Sequence, residues 1–158
     1  MSNLIVAKSV IKALVKAKKS ISVAESITGG GLAAALTDIA GASQAFVGGV
    51  VAYSDQIKVS ELGVSKSDLK KYGPVSEEIV RQMADGALLK FKTDYAIATT
   101  GVAGPGSAYG QKAGTAWIGL ASKKEQISIA LFLTGDRESI RHATIASALA
   151  AIERILKP

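Results

Sequence analysis

Ser26 stands in AESITGGG, residues 24–31, between an apolar run and three consecutive glycines. A serine in that setting can cap a helix, or it can be a nucleophile aimed at a substrate. Nucleophilic use needs a base within reach. The chain has no cysteine and a single histidine, His142, so thiol chemistry is excluded and a zinc site is disfavoured. A Ser-His-Asp triad would have to run through His142, which falls inside a helical stretch beside Arg141. Serine with lysine remains. Tyr53 closes a strand-like run and Lys58 follows it in the next turn. A lysine activates a serine only when neutral, so its pKa must fall from about 10.4 to roughly 7–8. Burial or neighbouring positive charge would do this, and Arg137 or Arg141 could supply the charge if they point inward. On spacing alone Lys58 reads as a solvent-facing helix lysine, and spacing does not establish the dyad.

Two phosphate-binding patterns bear on the glycines. A Walker loop is not met, because Lys112 follows Gln111 and no Ser or Thr comes after it. Gly29 to Ala34 does satisfy GxGxxA between a strand and a helix. Its acidic partner about 20 residues on is met only loosely by Asp55. Exposed N–H groups at that helix start would favour an anionic group of a ligand.

The elements that must position these residues follow from periodicity. Lys8, Lys12, Lys16 and Lys19 fall on one face of a first helix, with Val6, Val10, Ile11 and Leu14 on the other. Residues 21–24 read as a buried strand, 29–39 as a helix, 46–53 as a second strand and 55–62 as a short helical turn. Pro74 and Ser76 open the clearest helix, with Ile79, Val80, Met83, Ala87, Leu88 and Phe91 on its apolar face. Residues 94–100 form a third strand. Residues 114–121 and 126–133 form a strand pair turned at 122–125, and Asp136 caps a last helix with Ile140, Ala148, Ile152 and Ile155 inward. This order predicts one α/β/α sandwich domain, spanning 1–158, on a mixed, mostly parallel sheet. Loops 25–31, 53–58 and 100–113 each follow a strand, so the site is expected where carboxyl ends of strands converge.

Composition narrows the class. The chain has 158 residues, an apolar fraction of 48% and a net charge of +6, enough for a core without staples. No apolar run nears the roughly 20 residues of a spanning helix. Five lysines and no acid in residues 1–20 nearly account for the excess charge. No aromatic residue interleaves them for base stacking, so they read as a solvated helix face and not as a nucleic-acid site. A cytoplasmic protein with neither membrane nor nucleic-acid partners is expected, and a homo-oligomer, most simply a dimer, fits small α/β enzymes of this kind.

Eight segments in order then resemble one family, the C-terminal domain of the competence/damage-inducible CinA proteins together with the stand-alone nicotinamide-nucleotide amidases. They are AESITGG at 24–30, LTDIAGAS at 36–43, FVGGVVAYSDQIK at 46–58, LGV at 62–64, GPVSEEIVRQMADGA at 73–87, TTGVAGPG at 99–106, GTAW at 114–117 and GDRESIRHA at 135–143. The resemblance implies hydrolysis of nicotinamide mononucleotide to nicotinate mononucleotide and ammonia, without metal or cofactor. It implies Ser26 as nucleophile, Lys58 as base and Tyr53 as the residue orienting that pair. Thr28, Gly29, Gly30, Thr100, Gly101 and Gly104 would meet the substrate. Backbone N–H groups of the 28–30 turn or the 101–104 loop would stabilise the oxyanion, and Arg137 or Arg141 would meet the phosphate. The chain departs from the family pattern at three places. It has Asp55 where asparagine is usual, Lys112-Ala113-Gly114 without the usual proline, and Ile27 where cysteine is usual. Without the further N-terminal domain of CinA proteins it reads as the stand-alone form. Two other readings share the fold: an amidase for another amide, and a nucleotide binder in which Ser26 does not react.

Overall fold

The computed structural model describes residues 3–157, with five strands in one sheet. The strands are β1 (Ile21–Glu25), β2 (Phe46–Val51), β3 (Tyr95–Gly101), β4 (Thr115–Ser122) and β5 (Gln126–Phe132), in spatial order β2-β1-β3-β4-β5. β1 is parallel to both β2 and β3, whereas β4 runs antiparallel to β3 and to β5. Only β4 is reversed, so the sheet is mixed and mostly parallel. The helices are α1 (Asn3–Ala17), α2 (Gly31–Thr37), α3 (Asp55–Leu62), α4 (Lys66–Tyr72), α5 (Glu77–Phe91) and α6 (Arg137–Leu156).

Side-chain size divides the two faces. Ile21, Val23, Ile97, Ile118 and Leu120 point into a core shared with α1, α2 and α6. Their strand neighbours Ala24, Ala96, Ala98 and Ala121 face α3 and α5. Small residues on that second face let α5 lie close. A Cβ at Gly119 would come within 2.6 Å of the Val80 carbonyl oxygen. Strands buried on both faces have no polar alternation to show, which is why β1 reads as a continuous run.

Most expected elements form, with local differences at their ends. The first helix buries Val10, Ile11 and Leu14 and ends at Ala17, so Lys19 lies beyond it, paired with Asp94 at 2.9 Å. The second helix starts at Gly31, not at 29, because residues 28–30 make a tight turn with Gly29 and Gly30 at positive φ. α4 is an addition to the expected elements. It buries no residue and so carries no apolar stripe, and its signal is the Ser65 cap that accepts from Asp68 N. Ser76 and Asp136 cap α5 and α6 as expected, accepting from Ile79 N and Ser139 N. Among the described residues no helix is long and apolar enough to cross a membrane.

The connections place a crevice at one end of the sheet. From β1 the chain passes through α2 to β2 on one side. From β2 it returns through α3, α4 and α5, on the opposite face, to β3 on the other side. The carboxyl ends of β1 and β3 therefore diverge at a topological switch point, where open α/β sheets take ligands.

Candidate active site

Ser26 is the first residue after β1. Its N–H donates to Thr99 O at 2.9 Å and its carbonyl accepts from Gly29 N at 3.1 Å, so its backbone is held from both sides. The side chain caps nothing: α2 has Gly30 at its N-cap and no side-chain cap. The neighbouring Glu25 does that work. Its carboxylate is fully buried and accepts from Gly30 N, Leu32 N and Ala33 N at 2.8–3.0 Å. The anion expected at this helix start is thus the protein's own, placed where the helix dipole favours it. Ser26 is left free of backbone duties, 8% exposed, at the floor of a cleft of about 270 Å³.

Glu25 carries a large share of local stability, because its loss would leave three N–H groups without their acceptor. Glu25→Ala is expected to cost about 3–5 kcal/mol. That lowers the melting temperature by about 10 °C or more. Urea and thermal unfolding check this, and a change under 1 kcal/mol would contradict it.

Lys58 arrives from α3. Ser54 caps that helix by accepting from Ile57 N at 3.3 Å. Its far end is seated on α5, where Gly86 allows Leu62 an approach that a Cβ would block outright. The Glu61–Lys90 ion pair at 2.9 Å ties the same end. This seating turns Lys58 inward, 2% exposed, in place of the solvent-facing lysine that spacing alone allows. Its Nζ donates to Ser26 Oγ at 3.4 Å, a long bond of the kind that tightens when substrate binds. Burial pushes the lysine below its ordinary pKa, and the Asp55 carboxylate, 3.7 Å away, pulls part of the way back. Asp55 is 52% exposed and acts on Lys58 from the rim.

The opposing pull gives a signed expectation. Asp55→Asn removes the influence that raises the Lys58 pKa, so less alkali is needed to free the amine. The acidic limb of the pH profile of kcat/KM is expected to move to lower pH. A limb that stays put or moves up would separate Lys58 from the titrating group.

The other expected residues fall into two sets. Tyr53, Thr100, Gly101, Gly104 and Arg137 line the same cleft as Ser26 and Lys58. Thr100 is buried and donates to Pro74 O at 2.7 Å, tying β3 to the start of α5. Gly101 cannot carry a side chain, since a Cβ would meet Ala116 and Ile27 at 2.7 and 2.8 Å. The Tyr53 hydroxyl accepts from Arg137 Nη2 at 3.1 Å, and Arg137 Nη1 donates to Gly104 O at 2.6 Å. Tyr53 is thus joined to Arg137 and not to the Ser26–Lys58 pair that it was expected to orient. Thr28, Gly29, Gly30 and Arg141 lie outside the lining. Arg141 donates to Ile27 O and Thr28 O, and the Thr28 hydroxyl bonds that of Thr99 at 2.7 Å. These residues brace the turn that carries Ser26. Between the arginines, one helical turn apart on α6, only Arg137 reaches the cleft.

A model of the CinA C-terminal domain family matches residues 3–156. The chain belongs to the CinA C-terminal domain family. It is 43% identical over 144 residues to a CinA-like protein of Endomicrobium trichonymphae, covering 90% of this chain and 34% of that one. Over 147 residues it is 43% identical to a CinA-like protein of Frankia casuarinae, covering 93% and 34%. The chain thus spans about a third of the length of these curated relatives. Among solved structures, a CinA superfamily protein of Klebsiella pneumoniae superposes with a TM-score of 0.96 at 33% identity, covering 99% of this chain and 98% of that one. The competence/damage inducible protein CihA of Agrobacterium tumefaciens gives 0.94 at 32%, covering 98% and 96%. Within this CinA-type domain, sequence reasoning passed over Glu25 and Tyr109. Glu25 had a signal, an acid closing the strand just before a glycine-rich helix start. Among the described residues no group of three His, Asp or Glu converges as a metal site would require.

Proposed function

We propose that this CinA-type domain is a nicotinamide-nucleotide amidase, hydrolysing nicotinamide mononucleotide to nicotinate mononucleotide and ammonia. The observation that carries the reading is a buried lysine of lowered pKa donating to a serine that caps no helix. Lysine burial of this kind costs stability and brings a folded protein no structural return, whereas it supplies a base near neutral pH.

In this mechanism Ser26 Oγ attacks the carboxamide carbon as Lys58 Nζ takes the hydroxyl proton. The tetrahedral oxyanion forms in the cleft, where neutral donors must meet it. The N–H groups of Gly29 and Gly30 are already given to Ser26 O and Glu25. Ala103 and Gly104 line the cleft, and their N–H groups have no hydrogen-bond partner among the described residues, so they are the donors assigned here. Lys58 then returns its proton to the departing nitrogen, the C–N bond breaks, and ammonia leaves. Water, deprotonated by Lys58, hydrolyses the ester, and the lysine's proton goes back to Ser26. Arg137 uses two donors on Tyr53 and Gly104 and keeps others for the phosphate. Tyr53 then acts by fixing that guanidinium.

The test is ammonia release from nicotinamide mononucleotide, compared with nicotinamide, asparagine and glutamine. Turnover of the nucleotide with the highest kcat/KM supports the reading. Turnover of one of the others and none of the nucleotide would replace it with a different amidase.

A further inference from the structure

The loop between β3 and β4 ends in a small hairpin. Ala108 N donates to Gln111 O at 3.0 Å and Gln111 N to Ala108 O at 2.9 Å, closing a two-residue turn at Tyr109 and Gly110. Both turn residues have positive φ, 53° and 73°. Asparagine and glycine suit the first position of such a turn; a bulky aromatic residue there is strained. The strain brings no packing in return, since Tyr109 is 67% exposed. It is nonetheless placed, because its loop is tied to β4 through Val102 N to Thr115 O and Thr115 N to Lys112 O. The result is an aromatic ring on the wall of the cleft that holds Ser26. Strain kept at a site, without a folding benefit, points to function.

We propose that Tyr109 is a specificity-determining residue, its ring stacking on the planar, positively charged heteroaromatic ring of the substrate. This rests on the amidase reading, whose substrate carries its amide on a pyridinium ring. A tyrosine face attracts such a cation beyond ordinary stacking. It therefore favours the quaternised ring over a neutral, non-aromatic counterpart of the same nucleotide. Arg137 meets the phosphate end, so the two contacts read opposite ends of one ligand.

The test is calorimetric binding to full-length protein carrying Ser26→Ala, which prevents turnover. The ligands are nicotinamide mononucleotide and its reduced dihydropyridine form. Tyr109→Asn, which suits the turn, is expected to melt at or above the parent temperature. It should bind the oxidised nucleotide about tenfold more weakly. The reduced form should bind within about twofold of the parent, and Tyr109→Phe should keep both affinities. Equal loss of both forms in Tyr109→Asn, or unchanged affinity for the oxidised one, would overturn the assignment while leaving the amidase reading intact. No binding of the oxidised nucleotide, with no ammonia release by the unmodified protein, would overturn both.

Discussion

Lys58→Met is expected to abolish amide hydrolysis and at the same time raise the melting temperature. The activity loss, at least about 10⁴-fold in kcat, follows from removing the group that takes and returns every proton in the proposed cycle. The stability gain follows from the same burial. A folded pKa below the ordinary lysine value means that the unfolded chain binds this proton more tightly than the folded one. Folding with a charged Lys58 is penalised most fully below the folded pKa, and the penalty fades as pH rises toward the ordinary value of 10.5. Methionine fills similar space without charge. A gain of about 1 kcal/mol, or roughly 2–4 °C, is expected at neutral pH, shrinking in alkaline buffer. Thermal melts at two pH values check it. A variant less stable than the parent at neutral pH would mean that the ammonium is held by favourable contacts and not in deficit.

The trade between stability and chemistry at Lys58 shows what the sequence could not display. Its helix, α3, lies where spacing puts it, but spacing gives a lysine there no direction. Direction comes from Leu62 resting on Gly86 and from Ser54 capping the other end. Both are contacts between segments far apart or conformations set by a single side chain. By contrast, β1 and β2 were legible as short apolar runs, and α5 as a long helix with a Ser76 cap and an apolar face. The three loops of the cleft were legible for the same reason, each following a readable strand.

Arg137 and Arg141 illustrate a finer limit. They stand four residues apart on α6, and either could face the strand ends by helical periodicity alone. The carbonyls of Ile27 and Thr28 capture Arg141, and the Gly104 carbonyl with the Tyr53 hydroxyl captures Arg137. Glu25 is the converse case. Its sequence position invited a ligand-binding reading of the glycines after it, yet its own carboxylate fills the place that a ligand anion would take. Tyr109 was hidden because nothing in GSAYGQKAG separates a hairpin tip from ordinary loop polarity.

The most direct test of the whole account is ammonia release from nicotinamide mononucleotide by Ser26→Ala beside the unmodified protein. Ser26 is fixed through its backbone to β3 and to Gly29, and its side chain makes no hydrogen bond besides the one with Lys58 among the described residues. The substitution should therefore leave folding intact, with a melting temperature within about 2 °C of the parent. Removing the nucleophile should lower kcat by at least about 10⁴-fold, leaving only the slow catalysis that oxyanion donors and binding provide. An inactive, fully folded Ser26→Ala protein that still binds the nucleotide is the predicted result. Ammonia release by that variant within tenfold of the parent rate would contradict the account and assign the attack to water.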